Sequence, residues 1–240
     1  MKKIFVIARR ELTGYARSPL GSLVIAATLL GVGLYFYWDG LSQKLLSAEV
    51  LRRFFYTASG GTMIAGLVLS MRLLAEERQT GTLTLLNTAP IRGVEVVLGK
   101  FLAAMVVLVL LQVLTLYMPL MIFVNGKVSL GHIAVGYLGL VLLGSATIAV
   151  GLFASSVARS QVIAAILGAG ILIPLLMLWM VAKAVEPPLN GFLAAMAFHH
   201  ENFLPFTQGT LRLQGVAYYT AVTYLFILGA TRSLEARRWR

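Results

Sequence analysis

Six long runs without a charged side chain dominate this sequence and constrain what it can fold into. They cover residues 20–38, 54–71, 101–124, 133–155, 161–182 and 213–231. A helix needs about 20 apolar residues to cross the ~30 Å hydrocarbon layer of a membrane. One Arg, Lys or Asp at the centre of such a helix costs about 2.5–3.5 kcal/mol on insertion scales. The runs therefore predict an all-α integral membrane protein with six transmembrane helices.

The composition leads to the same fold class. Hydrophobic residues make up 59% of the 240 positions and charged residues 12%, about half of the ~25% charged residues in a soluble domain. So few charged side chains do not cover a water-exposed globule of this size. The chain has no cysteine, which excludes disulfides, thiolate metal sites and cysteine nucleophiles.

The net charge of +11 does not indicate nucleic-acid binding, which calls for a basic face on a soluble fold. The basic residues stand at the ends of the apolar runs, where they meet anionic lipid headgroups. An even number of spans puts both termini on one side, and that side carries 14 of the 20 Lys and Arg residues. The positive-inside rule therefore predicts cytoplasmic termini. We expect membrane lipids, and no nucleic acid, as partners.

Residues 1–19 predict an amphipathic helix that lies in the cytoplasmic interface. Apolar side chains recur there at intervals of three and four, at Ile4, Phe5, Ala8, Leu12 and Tyr15. The basic residues, including Arg9 and Arg10, fall largely elsewhere and would face the headgroups. Pro19 then favours the first turn of the next helix. The segment is either a membrane anchor alone or an elbow that also contacts a cytoplasmic partner.

The cytoplasmic connection over residues 72–100 is too polar to span a membrane and too patterned for a slack linker. Glu76 and Glu77 continue the second helix into water, and Thr-Gly-Thr at 80–82 reads as a helix stop followed by an N-cap. A short apolar face follows at Leu83, Leu85 and Leu86. A helix–turn–helix of this kind suits docking into a groove of a partner. The alternative is a solvated loop without a partner.

The external connection over residues 183–212 contains an apolar piece, residues 192–198, that is too short to span. We expect a re-entrant or interfacial segment there. His199, His200 and Glu201 suggest metal ligands. Adjacent helical positions diverge by about 100°, however, so neighbouring histidines rarely face one ion together. A polar external cap without a metal is the favoured interpretation.

The spans carry no residue type that drives transport or catalysis on its own. No Asp, Glu, Lys or Arg lies within them, which argues against coupling to protons or sodium ions. Ser155 and Ser156 have no general base in the same span, so an intramembrane hydrolase is disfavoured.

The nearest match to an ATP-binding P-loop starts at Gly93 and ends at Phe101. It has one residue too many between Gly93 and Gly99, and Phe101 replaces the Ser or Thr that would hold magnesium. We therefore expect the chain to bind no cofactor. Any energy from ATP must come from a separate protein.

The sequence resembles the ABC-2-type permeases, which are the membrane subunits of ATP-driven transporters and mostly exporters. The resemblance lies in Arg10 and Glu11, in Ser18 and Pro19, in six spans, and in Glu-Arg-Gln-Thr-Gly-Thr at 77–82. Further similarity to that family's pattern follows at Leu85 and Leu86, Ala89, Pro90 and Ile91, and Gly99, Lys100 and Phe101.

The likeness is greatest to the gliding-motility-type branch. That branch ends its last external loop in a pattern resembled here by Asn202 and Phe203, Phe206, Gly209, Gly215 and Val216, and Tyr218 and Tyr219. A short basic tail at 237–239 also fits. Asn202 stands where the branch has His, which weakens any role for that position.

The resemblance implies a single ABC-2-type transmembrane domain over residues 1–240 in a bacterial plasma (inner) membrane. Two such subunits, a homodimer or a pair with a paralogue, would form the pore domain. Separate cytoplasmic ABC ATPases, which hold ATP and magnesium, would dock at Glu76, Glu77, Arg78, Gln79, Thr80, Gly81 and Thr82. Glu76 or Glu77 would form a salt bridge to the ATPase, and Gly81 and Thr82 the tight turn. The elbow, with Arg9, Arg10 and Glu11, would lie nearby.

Two other functions stay open at this point. The chain could be a mechanotransmitting or structural membrane subunit of an ATPase complex that translocates no solute. An intramembrane enzyme is the third class, and it would need activity without nucleotide. The uncharged spans favour an amphiphilic or lipidic substrate, although the sequence does not identify it.

Overall fold

The computed structural model describes residues 2–41, 46–81, 91–126 and 128–236, and every regular element in these ranges is helical. These ranges contain ten α-helices, and one π-helical turn at Phe36–Leu41 follows the second of them. The helices are α1 (Lys2–Arg17), α2 (Pro19–Tyr35), α3 (Ser47–Gln79), α4 (Gly93–Thr115), α5 (Tyr117–Asn125), α6 (Leu130–Val157), α7 (Gln161–Ala184), α8 (Leu189–Met196), α9 (His200–Thr207) and α10 (Leu213–Ala236).

Six helical stretches in these ranges are long and apolar enough to cross a membrane, and they contain the six predicted runs. α4 and α5 together form the third of them, Gly93–Val124. The predicted all-α membrane fold with six spanning helices is therefore confirmed.

Serine side chains begin three of the helices. Ser18 accepts a hydrogen bond from the Leu20 N–H at 3.3 Å, ahead of Pro19 in the first turn of α2. Ser129 and Ser160 do the same at the starts of α6 and α7. Because the first N–H groups of a helix have no partner within it, these side chains fix where each span starts.

Three spans form the centre of the bundle and three surround it. More than half of the most apolar part of α3 and α6 is buried inside the protein, at 56% and 61%, and α4 with α5 follows at 50%. For α7 and α10 the buried share is 17%. Small residues let the central helices approach closely. A Cβ atom at Gly151 of α6, for example, would collide with Ser70 of α3.

α3 is much longer than the run at 54–71 that predicted it. Its 33 residues extend about 50 Å at 1.5 Å per residue, well beyond the hydrocarbon layer. The helix continues past Arg72 to Gln79 because its charged side chains there have partners within the protein. The third span is interrupted instead: Leu116 donates to the Val113 carbonyl, and Pro119 has no N–H to continue the α4 ladder.

The N-terminal helix α1 packs on α4. Ala8 and Tyr15 are buried, as the amphipathic pattern predicts. Phe5, which the pattern placed on the same face, is 68% exposed. Ile7 lies against α4 instead, where a Cβ atom at Gly99 would come within 2.8 Å of the Ile7 side chain.

Candidate functional site at the basic end of the bundle

Several helix ends meet at one end of the bundle, called the basic end below. They are α1, the C-terminal ends of α3, α6 and α10, and the N-terminal end of α4. The residues predicted to dock a partner lie here, as far as the structure describes them. Three sets of polar contacts connect α1, α3, α4 and α6.

The first set joins α1, α3 and α4 through one lysine. The Lys100 Nζ atom lies 2.5 Å from Glu11 Oε1 and 2.9 Å from Glu77 Oε1. The Lys100 side chain is 1% exposed and the Glu77 side chain 11%. We call Glu11, Glu77 and Lys100 the Lys100 cluster. A buried charge that loses its partner is left uncompensated, at about 3–5 kcal/mol, so the cluster holds the three helices in one arrangement.

The second set fixes the C-terminal part of α1 on α3. Arg72 donates to the Ser18 Oγ atom at 2.9 Å, and its guanidinium lies 5.0 Å from the centre of the Tyr15 ring. The Tyr15 hydroxyl donates to the Leu69 carbonyl at 2.7 Å. Burial, with a contribution from Glu11, raises the pKa of the Tyr15 hydroxyl well above its ordinary value. The hydroxyl therefore stays protonated and keeps donating.

The third set joins α3 to the end of α6. The Ser155 hydroxyl accepts from the N–H groups of Leu74 and Ala75 at 3.0 and 2.9 Å and donates to the Met71 carbonyl at 2.9 Å. Arg78 donates to the carbonyls that end α6, at Ser156, Val157 and Ala158. A guanidinium at a helix C-terminus satisfies carbonyls that have no partner within the helix. Ser155, considered above as a nucleophile, therefore has a structural role.

α3 ends in an exposed turn, as the sequence predicts. The Thr80 N–H donates to the Glu76 carbonyl at 2.9 Å. Gly81 adopts a φ of +73°, the left-handed conformation that glycine tolerates best. Gln79, Thr80 and Gly81 are exposed. We call residues 79–81 the α3 tip. Thr82 and the predicted apolar face at 83–86 lie outside the described residues.

The structure separates two glutamates that the sequence analysis treated alike. Glu76 pairs with Arg72 at 2.9 Å and keeps 40% of its side chain exposed. Glu77 does not face outward but lies in the Lys100 cluster. A salt bridge from Glu77 to another protein would require it to leave Lys100, so Glu76 is the better placed of the two. On α1, Arg9 and Arg10 are exposed, whereas Glu11 is turned inward.

Sequence reasoning missed Lys100, Arg72, Tyr15 and Ser155 as members of this site. Lys100 had a signal: it directly precedes a long apolar run, where a buried cation needs a carboxylate partner. Gly99 was considered above only as a possible P-loop glycine. In the structure it is a point of close contact between α4 and α1.

At the opposite end, the predicted external cap consists of the short helices α8 and α9. The Asn202 amide donates to the carbonyls of Ala195 and Ala197, both at 2.9 Å. The His199 Nε2 atom lies 2.8 Å from the Ser59 hydroxyl of α3. Burial, with a smaller effect of His200, lowers the pKa of His199 to about 4. Within the described ranges no group of three His, Asp or Glu residues is arranged to hold a metal ion.

No curated protein matches the sequence. The sequence profile described as ABC-2 family transporter protein matches residues 7–230, which is nearly the whole chain. It does not distinguish the gliding-motility-type branch, which stays a prediction. A bundle of six spanning helices fits this family. The chain belongs to the ABC-2 transporter family, as a membrane-spanning permease subunit of an ABC transporter.

Proposed function

We propose that this permease exports its substrate at the expense of ATP hydrolysis by a separate cytoplasmic ABC ATPase that docks at the basic end. The observation that supports this most is the α3 tip, an exposed turn at the end of a helix that runs through the centre of the bundle. The positive-inside rule places this end in the cytoplasm, where the ATPase would be.

The docking surface consists of the α3 tip and Glu76. Glu76 offers a half-exposed carboxylate to a basic residue of the ATPase. The Gly81 conformation sets the direction in which the chain leaves α3. The exposed Arg9 and Arg10 of α1 would lie at the edge of the same surface.

Movement at the tip would spread through the contacts described above. The Lys100 cluster connects α3 to α1 and α4, and Arg78 and Ser155 connect it to α6. At its other end, α3 contacts the external cap through Ser59 and His199. A push at the tip would therefore move the helices of both ends together, which is what alternation between inward-facing and outward-facing states requires.

The remaining parts of the proposal concern the assembly. A second permease, a copy or a paralogue, would complete the pore domain in a bacterial inner membrane. ATP and magnesium would be held by the ATPase subunits. Membrane lipids would surround α2, α7 and α10, whose surfaces are largely exposed and apolar.

Co-purification tests the docking surface. The tagged chain, expressed in its native host and extracted in mild detergent, should retain an ABC ATPase. Glu76→Lys and Gly81→Pro should abolish that retention. Glu201→Lys, a charge reversal at an exposed residue of the opposite end, is the matched control and should retain the ATPase. Retention of the ATPase by both Glu76→Lys and Gly81→Pro, at equal membrane levels, would refute the docking surface.

A second measurement separates transport from mechanical work. Complexes that bind and hydrolyse ATP are reconstituted into liposomes, and the release of radiolabelled lipid and solute pools is followed. ATP-dependent movement of either pool supports export. Hydrolysis without movement of any pool would favour the mechanotransmitting alternative.

A further inference from the structure

A cavity of about 460 Å³ lies at the end of the bundle opposite the basic end. α3 forms its floor, and α2 with its π-helical turn, α7 and α9 contribute its walls. Its lining combines three aromatic and three charged side chains: Tyr35, Tyr56 and Trp179, with Asp39, Arg52 and Arg53. None of these residues belongs to the docking surface.

Charged side chains of both signs line the cavity. The Arg53 Nη1 atom lies 2.7 Å from Asp39 Oδ1. Arg52 makes two hydrogen bonds to Glu49, at 2.7 and 2.8 Å. Both guanidinium groups therefore pair with carboxylates, of which Asp39 lines the cavity. The Arg52 side chain keeps 46% of its surface exposed. A ligand that carries both a negative and a positive group can pair with the arginines and with Asp39, whereas a purely anionic ligand has no group to pair with Asp39.

The aromatic rings add a wall that suits a cation. Tyr35 and Tyr56 are 50% and 56% exposed, so their rings are accessible. Trp179 is held in place by stacking on His200 at 4.7 Å, and the Lys183 ammonium lies 4.5 Å from its ring centre. Ammonium groups are attracted to the faces of such rings. The accessible faces of Tyr35 and Tyr56 are therefore suited to a ligand ammonium.

The cavity is accessible from the side of the bundle. α2 and α7 both pack on α3, but among the described residues they make at most marginal contact with each other. They are also two of the least buried spans, at 22% and 17%. A ligand could therefore place a polar headgroup in the cavity while its acyl chains stay in the bilayer.

We propose that this cavity binds the zwitterionic headgroup of an amphiphile, with its phosphate at Arg52 and Arg53 and its ammonium at Asp39 and the tyrosine rings. The charges of both signs, the accessible rings and the lateral opening match the parts of such a molecule. The identification of this amphiphile as the exported substrate rests on the proposed function, whereas the binding itself does not.

Fluorescence of Trp179 reports on the cavity directly. The sequence has three tryptophans, so replacing Trp38 and Trp239 by Phe leaves Trp179 as the only emitter. The purified full chain in detergent is titrated with dioctanoyl phosphatidylethanolamine. We expect a saturable change in emission, with affinity about tenfold lower in Arg52→Gln and in Tyr56→Ala. Arg212→Gln removes an exposed arginine outside the cavity and should leave the affinity unchanged.

Three further probes decide which part of the ligand is recognised. Dioctanoyl phosphatidylglycerol lacks the ammonium, dioctanoylglycerol lacks both charges, and phosphorylethanolamine lacks the acyl chains. Binding of all three at least tenfold weaker than that of the zwitterionic lipid supports the proposal. Equal binding of any one of them, or affinity unaffected by both cavity variants, would overturn it.

This experiment needs neither nucleotide nor ATPase. Failure to bind the zwitterionic lipid would therefore overturn the ligand assignment and leave the docking proposal intact. Loss of ATPase docking with intact lipid binding would have the reverse meaning.

Discussion

Lys100 of α4 and Glu77 of α3 form an ion pair of 2.9 Å at the basic end, where the lysine side chain is 1% exposed. Glu11 of α1 approaches the same ammonium at 2.5 Å. This one ammonium therefore sets the relative position of three helices. Its position also explains why Glu77 is buried whereas the neighbouring Glu76 stays partly exposed.

Lys100→Met should destabilise the protein strongly because it leaves two carboxylates facing each other in a buried place. The expected loss is about 3–5 kcal/mol, read as a lower midpoint of thermal unfolding in detergent. Glu11→Gln should cost clearly less, since Lys100 keeps Glu77. Arg232→Met, at a side chain that is 77% exposed, is the control. A midpoint for Lys100→Met equal to that of the control would contradict the role of the cluster.

Ser155→Ala should loosen the contact between α3 and α6. The hydroxyl contacts the N–H groups of Leu74 and Ala75 and the Met71 carbonyl. Each such hydrogen bond contributes about 0.5–1.5 kcal/mol to stability, and the substitution removes them. Hydrogen–deuterium exchange should rise at residues 71–75. Ser22→Ala, at an exposed serine of α2, should leave that exchange as it is. Unchanged exchange in Ser155→Ala would show that the hydroxyl does not stabilise the contact between α3 and α6.

Gln112→Met should stabilise the protein. The Gln112 amide is buried in α4, and neither its oxygen nor its nitrogen finds a partner among the described residues. Methionine has a similar volume and no such requirement, so the expected gain is about 1–3 kcal/mol. The measurement is again the thermal midpoint in detergent. A lower midpoint would indicate that the amide has a partner in the assembled transporter or in another conformation.

Stability should fall in mildly acidic solution because of His199. Its pKa in the folded protein is about 4, below the ordinary value of 6.5, because burial disfavours the charged ring. The unfolded chain therefore takes up a proton first. The contribution of neutral His199 to the free energy of unfolding is fully present above pH 6.5. It is lost at about 1.4 kcal/mol per pH unit as the pH falls from 6.5 towards 4. His199→Gln should flatten this part of the pH profile of the thermal midpoint, and an unchanged slope would argue against a buried neutral histidine.

The sequence was sufficient for the six spans because length and hydropathy alone decide which segments can cross a bilayer. Hydropathy alone did not predict where α3 ends. The charged residues after Met71 terminate the apolar run, but the helix continues because Arg72, Glu77 and Arg78 all find partners in other helices. Such partners are a property of the packing, which hydropathy does not contain.

The arrangement of the candidate site also depends on packing that the sequence does not show. The resemblance to ABC-2 permeases correctly predicted the family and drew attention to residues 76–82. Glu76 and Glu77 are neighbours in sequence, yet adjacent helical positions point about 100° apart. Which of them is buried depends on where α1 and α4 lie, and residues 11, 77 and 100 come together only in the folded chain.

In the proposed mechanism, the α3 tip controls the opposite end of the bundle. Because the chain contains no cysteine, two introduced cysteines, at exposed Leu34 of α2 and exposed Met177 of α7, can carry spin labels without background. The labelled permease, reconstituted with its ATPase, is measured by double electron–electron resonance with and without ATP and vanadate. We predict that nucleotide shifts the distance between the labels in the parent protein and not in Gly81→Pro. An identical nucleotide-dependent shift in Gly81→Pro, or no shift in the parent complex, would contradict the account.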